Sequence, residues 1–125
     1  MKAVLVIGSN IGNRVENIKK AICFLENYCM IIRQSGVYES KDCLGSGKRY
    51  MNCVLELETL LNEDILSAEI KKYELSAGRT IEGKKRGEVA IDIDIVIWEN
   101  TILRPSDFNS LYFKLGFTKL KKHCL

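Results

Sequence analysis

Along this chain the spacing of hydrophobic positions switches repeatedly between two periods, and each switch marks an element. Ala3 to Ile7 is an unbroken apolar run ending at Gly8-Ser9-Asn10, which predicts a buried strand followed by a turn. From Asn13 the period lengthens. Val15, Ile18, Ile22, Leu25 and Cys29 recur at helical spacing, with Asn13 at the N-cap and Glu16 three positions on, so a first helix is predicted to end near Tyr28. Met30 to Tyr38 and Asn52 to Leu60 read as two strands, and the polar, glycine-containing stretch Ser40 to Arg49 between them as a mobile loop. Asn62 opens a second helix with Glu63 and Asp64 in its first turn, a stripe of Leu66, Ile70, Tyr73 and Ala77, and Gly78 at its C-terminus. A basic loop from Thr80 to Glu88 then leads to Ala90 to Trp98, which alternates strictly and puts Ile91, Ile93, Ile95 and Ile97 on one face of a last strand.

The order strand, helix, strand, strand, helix, strand predicts an α+β fold. It is the ferredoxin-like βαββαβ arrangement, an antiparallel sheet with helices on one face. No repeat or low-complexity tract interrupts it, so residues 1–125 are expected to form one domain with a core over 1–100. The tail over 101–125, which holds the only proline, Pro105, has no pattern that fixes its structure.

Composition narrows the class without changing the fold. The chain has 125 residues, 46% hydrophobic and 28% charged, enough for one compact core. No apolar run approaches the roughly 20 residues a membrane span needs, and no cleavage site follows the first strand, so a soluble cytoplasmic protein is expected. Nineteen Lys and Arg against sixteen Asp and Glu give +3, which suits anionic small molecules and requires neither nucleic acid nor membrane. The five cysteines are odd in number, lack a C-x-x-C pair and are accompanied by a single histidine, His123. Reduced thiols are expected, with Cys23, Cys29 and Cys53 acting as small apolar residues.

Candidate chemistry concentrates in Ile91-Asp92-Ile93-Asp94-Ile95. Period-two geometry puts both carboxylates on one face with Cα atoms about 6.6 Å apart. Two ionised carboxylates about 5 Å apart repel by roughly 3 kcal/mol at an effective dielectric near 20, so a divalent cation such as magnesium between them is favoured. A solvated outer strand face is the alternative. Val96 and Trp98, continuing the face of the acids, favour partial enclosure. Tyr50 and Asn52 offer a phenol and an amide able to read a flat heterocycle, or else a packed ring and a loop closure. Gly8-Ser9-Asn10 with Gly12, and Gly45-Ser46-Gly47-Lys48, match neither the dinucleotide fingerprint nor the phosphate loop. Lys84, Lys85 and Arg86 are either a polyphosphate contact or a solvated basic run.

Together these pieces resemble the 6-hydroxymethyl-7,8-dihydropterin pyrophosphokinase family (HPPK). The likeness rests on Ile7-Gly8-Ser9-Asn10-Ile11-Gly12-Asn13-Arg14, Tyr50-Met51-Asn52 leading into Leu55-Glu56-Leu57-Glu58-Thr59, Glu74 with Gly78-Arg79, and the two aspartates. It implies transfer of diphosphate from ATP to the hydroxymethyl group of a reduced pterin, releasing AMP, in folate biosynthesis. It further implies two magnesium ions on Asp92 and Asp94. Asn52, Tyr50, Ser40, Leu44 and Gly8 would form the pterin side. Glu74, Arg79 and Ile95, with Lys84, Lys85 and Arg86, would form the ATP side, and Asp92, Asp94 and Arg79 would be catalytic. ATP and the pterin are then the partners of a monomer.

The sequence departs from that family on the phosphate side. Gly87-Glu88-Val89 replaces the usual Gly-Pro-Arg, and Ile81 stands for another arginine. Arg86 replaces an aromatic residue, Pro105-Ser106 replaces Pro-His, and Tyr112 and Phe113 stand in the region of a further arginine and phenylalanine. A pterin or nucleotide binder without transferase activity is therefore a second reading. A small RNA-binding domain is a third, because the strand order matches and Lys119, Lys121 and Lys122 make the tail basic. Against it, the strands that would stack bases carry Val54, Glu56, Glu58, Asp92 and Asp94.

Overall fold

A computed structural model of the chain describes residues 1–41, 49–78 and 81–122. In chain order its elements are β1 (Lys2–Ser9), α1 (Arg14–Leu25), β2 (Cys29–Gln34), β3 (Tyr38–Lys41), β4 (Arg49–Thr59), α2 (Glu63–Ser76), α3 (Ile81–Lys85), β5 (Asp92–Trp98), β6 (Thr101–Ile102), α4 (Pro105–Phe108) and α5 (Leu111–Lys122). The sheet runs β2-β4-β1-β5-β6, with β3 also paired to β4, and every pairing is antiparallel. This is the ferredoxin-like fold the element order predicts, with β1 central between β4 and β5.

The helices α1 and α2 cover one face. Leu5, Ile7, Leu55, Leu57, Ile91, Ile93 and Ile95 point from the sheet into a core completed by Ile18, Ala21, Leu25, Leu66 and Ile70. Asn13 caps α1 as its sequence position predicts, its side chain accepting from the Glu16 amide at 3.2 Å. Gly78 closes α2 at φ +98, a conformation that favours glycine.

Several expectations change in detail. The helix α1 ends at Leu25, so Cys29 opens β2 instead of extending the helical stripe, while Val15 and Cys23 are exposed. The strand predicted over Met30 to Tyr38 is broken at residues 35–37. There the Ser35 hydroxyl accepts from the Val54 amide at 2.9 Å, and Gly36 adopts φ +78. Ser40, Lys41 and Arg49, expected in a loop, belong to β3 and β4; the remainder of that loop, 42–48, lies outside the described residues. The basic segment after α2 contains the short helix α3.

The last strand carries the most instructive difference. Its register against β1 shifts between Val4 and Leu5, so Ile97 opposes Val4 while Ile95 opposes Leu5. An extra residue at a bulge reverses the alternation beyond it. Ile97 therefore packs with Val96 on the second face, and Trp98 crosses to the helix-covered core. Three isoleucines, not four, line the first core, and of Val96 and Trp98 only Val96 continues the face of the acids.

The tail is folded. Leu103 donates to the Val96 carbonyl at 2.8 Å, Pro105 opens α4 where a missing amide costs nothing, and α5 crosses the second face of the sheet. Phe113 and Leu120 pack there on Val4, Val6, Val54, Val96 and Tyr38. The ferredoxin-like core thus keeps its two helices on one face and gains a third from the tail on the other.

Candidate active site

Gly8, near the end of β1, is in register with Asn52 of β4 on one side and Asp92 of β5 on the other. One step back, Val6 is in register with Val54 and Asp94, while β3 sets Tyr38 against Asn52 and Ser40 against Tyr50. Because Cys53, Ile91, Ile93 and Ile95 point into the helix-covered core, alternation sends Tyr50, Asn52, Asp92 and Asp94 to the other face. They gather where α5 leaves that face uncovered. Gly8 permits this crowding: a Cβ on it would lie 3.3 Å from the Tyr50 ring and 3.5 Å from Asn52 Oδ1. Asn52 is buried, and its amide donates to Ser40 Oγ at 2.6 Å, which fixes its plane.

The acids are desolvated neighbours. Burial pushes the Asp94 carboxyl up to about 8, and the adjacent Asp92 adds to the rise. Arg104 opposes it, with Nη1 3.7 Å from Asp94 Oδ1. Arg104 Nε is also tied to Asp107, whose other carboxylate oxygen accepts from the Tyr112 hydroxyl. From the helix-covered side, buried Glu74 of α2 accepts from the Ile93 amide at 2.8 Å and so fixes the peptide between the two aspartates.

Two clefts meet at these groups. The first, about 330 Å³, is lined by Gly8, Ser40, Tyr50, Asn52 and the tail residues Ser106, Asp107, Ser110 and Tyr112. The second, about 470 Å³, is lined by Glu63, Ser67, Lys71, Glu74, Ile93 and Ile95. Asp92, Asp94 and Arg104 line both. An apolar and aromatic pocket with a fixed amide on one side, a polar groove on the other and two acids between them can hold a flat heterocycle facing a polyphosphate.

No cluster of three or more side chains able to hold a metal occurs among the described residues. A magnesium site fed by two carboxylates, with phosphate and water completing the shell, needs no such cluster. The elevated Asp94 fits it, because a cation would offset the desolvation that burial imposes and the repulsion from Asp92.

The structure brings together Gly8, Ser40, Tyr50, Asn52, Asp92 and Asp94 in the first cleft and Glu74 and Ile95 in the second. Leu44 and Arg79 lie outside the described residues, as does the side chain of Lys84. Lys85 and Arg86 are exposed and line neither cleft; Arg86 pairs with Glu88 at 3.0 Å. Asn10 pins the neighbouring segment, donating to the Gly87 carbonyl at 2.7 Å and accepting from the Val89 amide at 2.6 Å. Phe113 is buried in the second core, whereas Tyr112 reaches the cleft. Arg104 and Asp107 are missed by the sequence reading. Their one signal is an Arg and an Asp three apart around a proline that starts a helix.

Comparison with known proteins agrees with this geometry. The family model for 7,8-dihydro-6-hydroxymethylpterin-pyrophosphokinase matches residues 4–119. The chain is 40% identical over 101 residues to the 2-amino-4-hydroxy-6-hydroxymethyldihydropteridine pyrophosphokinase of Aquifex aeolicus, covering 80% of this chain and 62% of that protein. It is 39% identical over 101 residues to a folate synthesis bifunctional protein of Chlamydia muridarum, covering 75% of this chain and 22% of that one. To a folate synthesis bifunctional protein of Arabidopsis thaliana it is 30% identical over 99 residues, covering 78% and 20%. The chain thus spans about three fifths of the first relative and about a fifth of the bifunctional ones.

Proposed function

The chain belongs to the 7,8-dihydro-6-hydroxymethylpterin-pyrophosphokinase family, and we propose that it transfers diphosphate from ATP to 6-hydroxymethyl-7,8-dihydropterin, a step of folate biosynthesis. The observation that carries this reading is the meeting of the two clefts at Asp92, Asp94 and Arg104. A pterin in the first cleft would lie between the Tyr50 ring and the fixed Asn52 amide, with its hydroxymethyl group toward the acids. A nucleotide in the second would rest beside Glu74, Lys71 and Ile95, its phosphates at the same acids. Arg79, Leu44 and the basic run at Lys84, Lys85 and Arg86 belong to this proposal as residues that the family resemblance assigns to the two ligands.

The reaction joins the hydroxymethyl oxygen to the β-phosphorus and breaks the bond from that phosphorus to the oxygen of AMP. Such a transfer needs little covalent help from the protein; positioning and charge neutralisation supply most of the rate. Two magnesium ions, held by Asp92 and Asp94, would supply that neutralisation when bound. Glu74 holds the aspartate-bearing strand in place through the Ile93 amide, and Gly8 leaves room for Tyr50 and Asn52 to close on the heterocycle. The same reading makes the protein a cytoplasmic monomer acting on two small molecules. No helix among the described residues is long and apolar enough to cross a membrane.

One observation favours a second reading, a binder that does not transfer. The 87–89 segment, where the family has an arginine, presents Glu88 and Val89 and is pinned by Asn10. The RNA-binding reading loses ground, because α5 covers much of the sheet face on which such domains stack bases.

Separate titrations with the pterin and with MgATP test the two-sided site. Asn52→Ala should lose pterin affinity and keep nucleotide affinity, and Asp92→Asn the reverse. Wild-type protein that binds neither ligand would contradict the proposal.

A further inference from the structure

We propose that Arg104 binds the phosphates undergoing transfer, doing from the tail what the arginine absent from residues 87–89 would otherwise do. This rests on the pyrophosphokinase reading and adds to it a residue outside the motifs that carry the family resemblance. Three observations support it.

The first is position. Lys41 lines only the first cleft and Lys71 only the second, whereas Arg104 lines both, beside the two acids. A group that contacts the phosphorus passing from one ligand to the other must stand at that junction.

The second is how Arg104 is held. Its Nε is tied to Asp107, which Tyr112 steadies in turn, while Nη1 reaches Asp94 only at 3.7 Å, beyond a good hydrogen bond. The fork is thus anchored at its base, with its far end in a loose ion pair. Its side chain is 49% exposed, so the far end is accessible to a ligand. A guanidinium binds phosphate through paired N–H groups more strongly than it holds one distant carboxylate oxygen.

The third is charge. Arg86 is paired with Glu88, and the backbone of 87–89 is fixed by Asn10; among the described residues the cation ion-paired with Asp94 is Arg104. The turn that supplies it is set by the Leu103 amide on the Val96 carbonyl and by Pro105 at the start of α4.

The test compares Arg104→Ala and Arg104→Lys with wild type by three measurements: calorimetric affinity for a non-hydrolysable ATP analogue with magnesium, fluorescence titration of the pterin, and turnover. Arg104→Ala should weaken nucleotide binding by about tenfold and slow turnover by about 100-fold, with pterin affinity unchanged within a factor of two. Arg104→Lys should recover nucleotide affinity more fully than turnover, because a point charge does not reproduce the fork. An unchanged melting temperature in both variants would exclude unfolding as the cause. Wild-type nucleotide affinity and turnover in Arg104→Ala, in a protein that does transfer diphosphate, would overturn the inference and leave the proposed function standing. Wild-type protein that binds pterin and nucleotide but does not transfer would leave the tenfold affinity loss as the deciding result. Binding of neither ligand by wild type would remove both proposals.

Discussion

Asn52 and Asp92 are in register with the same residue, Gly8, from opposite sides of β1. Two strand spacings separate them, about 9.6 Å. The sheet therefore sets the distance between the two halves of the site, and the one residue between them has no side chain.

Adding a side chain there should be felt on the pterin side first. In Gly8→Ala the new methyl meets the Tyr50 ring at 3.3 Å, so the ring must give by a few tenths of an ångström, while its 3.5 Å approach to Asn52 Oδ1 is ordinary contact. Pterin affinity is expected to fall by about tenfold, roughly 1.4 kcal/mol, with nucleotide affinity retained. Equal loss for both ligands, read by parallel titrations, would argue against a separate pterin cleft.

The elevated Asp94 carries a pH signature. Its folded-state pKa of about 8 exceeds the ordinary 3.8, so its contribution to stability is full below about pH 4 and is lost as the pH rises through 8. In the metal-free protein, Asp94→Asn removes the ionisation and should be the more stable at pH 8 by several kcal/mol, with little difference at pH 4. Denaturant melts at the two pH values check this. A constant gap between variant and wild type would show that Asp94 does not titrate in the fold as described.

Glu74 should prove structural as well as nucleotide-facing. Glu74→Ala leaves the buried Ile93 amide without its acceptor and is expected to destabilise the protein by about 2–3 kcal/mol. Glu74→Gln keeps an oxygen for that amide and should cost about half as much. Equilibrium urea unfolding separates the two, and equal midpoints would mean the bond contributes little.

Docking of the tail depends on a glycine. A Cβ on Gly116 would lie 2.4 Å from Val54 Cγ2 and 2.5 Å from the Tyr38 hydroxyl, far inside contact distance. Gly116→Ala gains helix propensity but forces α5 off the sheet, for a net loss of about 1–3 kcal/mol. Because Arg104, Asp107 and Tyr112 come with the tail, turnover should fall along with stability. A melting temperature at or above that of wild type would contradict the packing.

The parts of this architecture readable from sequence are those whose signal is local and periodic. The strand at Ala3 to Ile7, the cap at Asn13 and the stripe of Leu66 and Ile70 each follow from residues near one another, and so does the shared face of Asp92 and Asp94. The placement of Ile97 and Trp98 is not legible, because a bulge depends on the partner strand and leaves no mark in the alternation itself. Nor is the break at Ser35, which rests on a hydrogen bond to Val54 across the sheet. Arg104 is hidden for the same reason. Its chemistry comes from a chain reversal onto Val96, and nothing within a few residues of it announces the acids it will meet. Tyr50 and Asn52 fall between these cases: spacing places them together, but the pairing with Ser40 and Gly8 is what fixes the amide.

The most direct test is to incubate the protein with ATP, magnesium and 6-hydroxymethyl-7,8-dihydropterin and to quantify AMP and the pterin diphosphate together. The account predicts equal amounts of both products, dependent on the pterin and lost in Asp92→Asn. Pterin and nucleotide binding with neither product formed would contradict the transferase reading and leave a protein that holds both ligands without joining them.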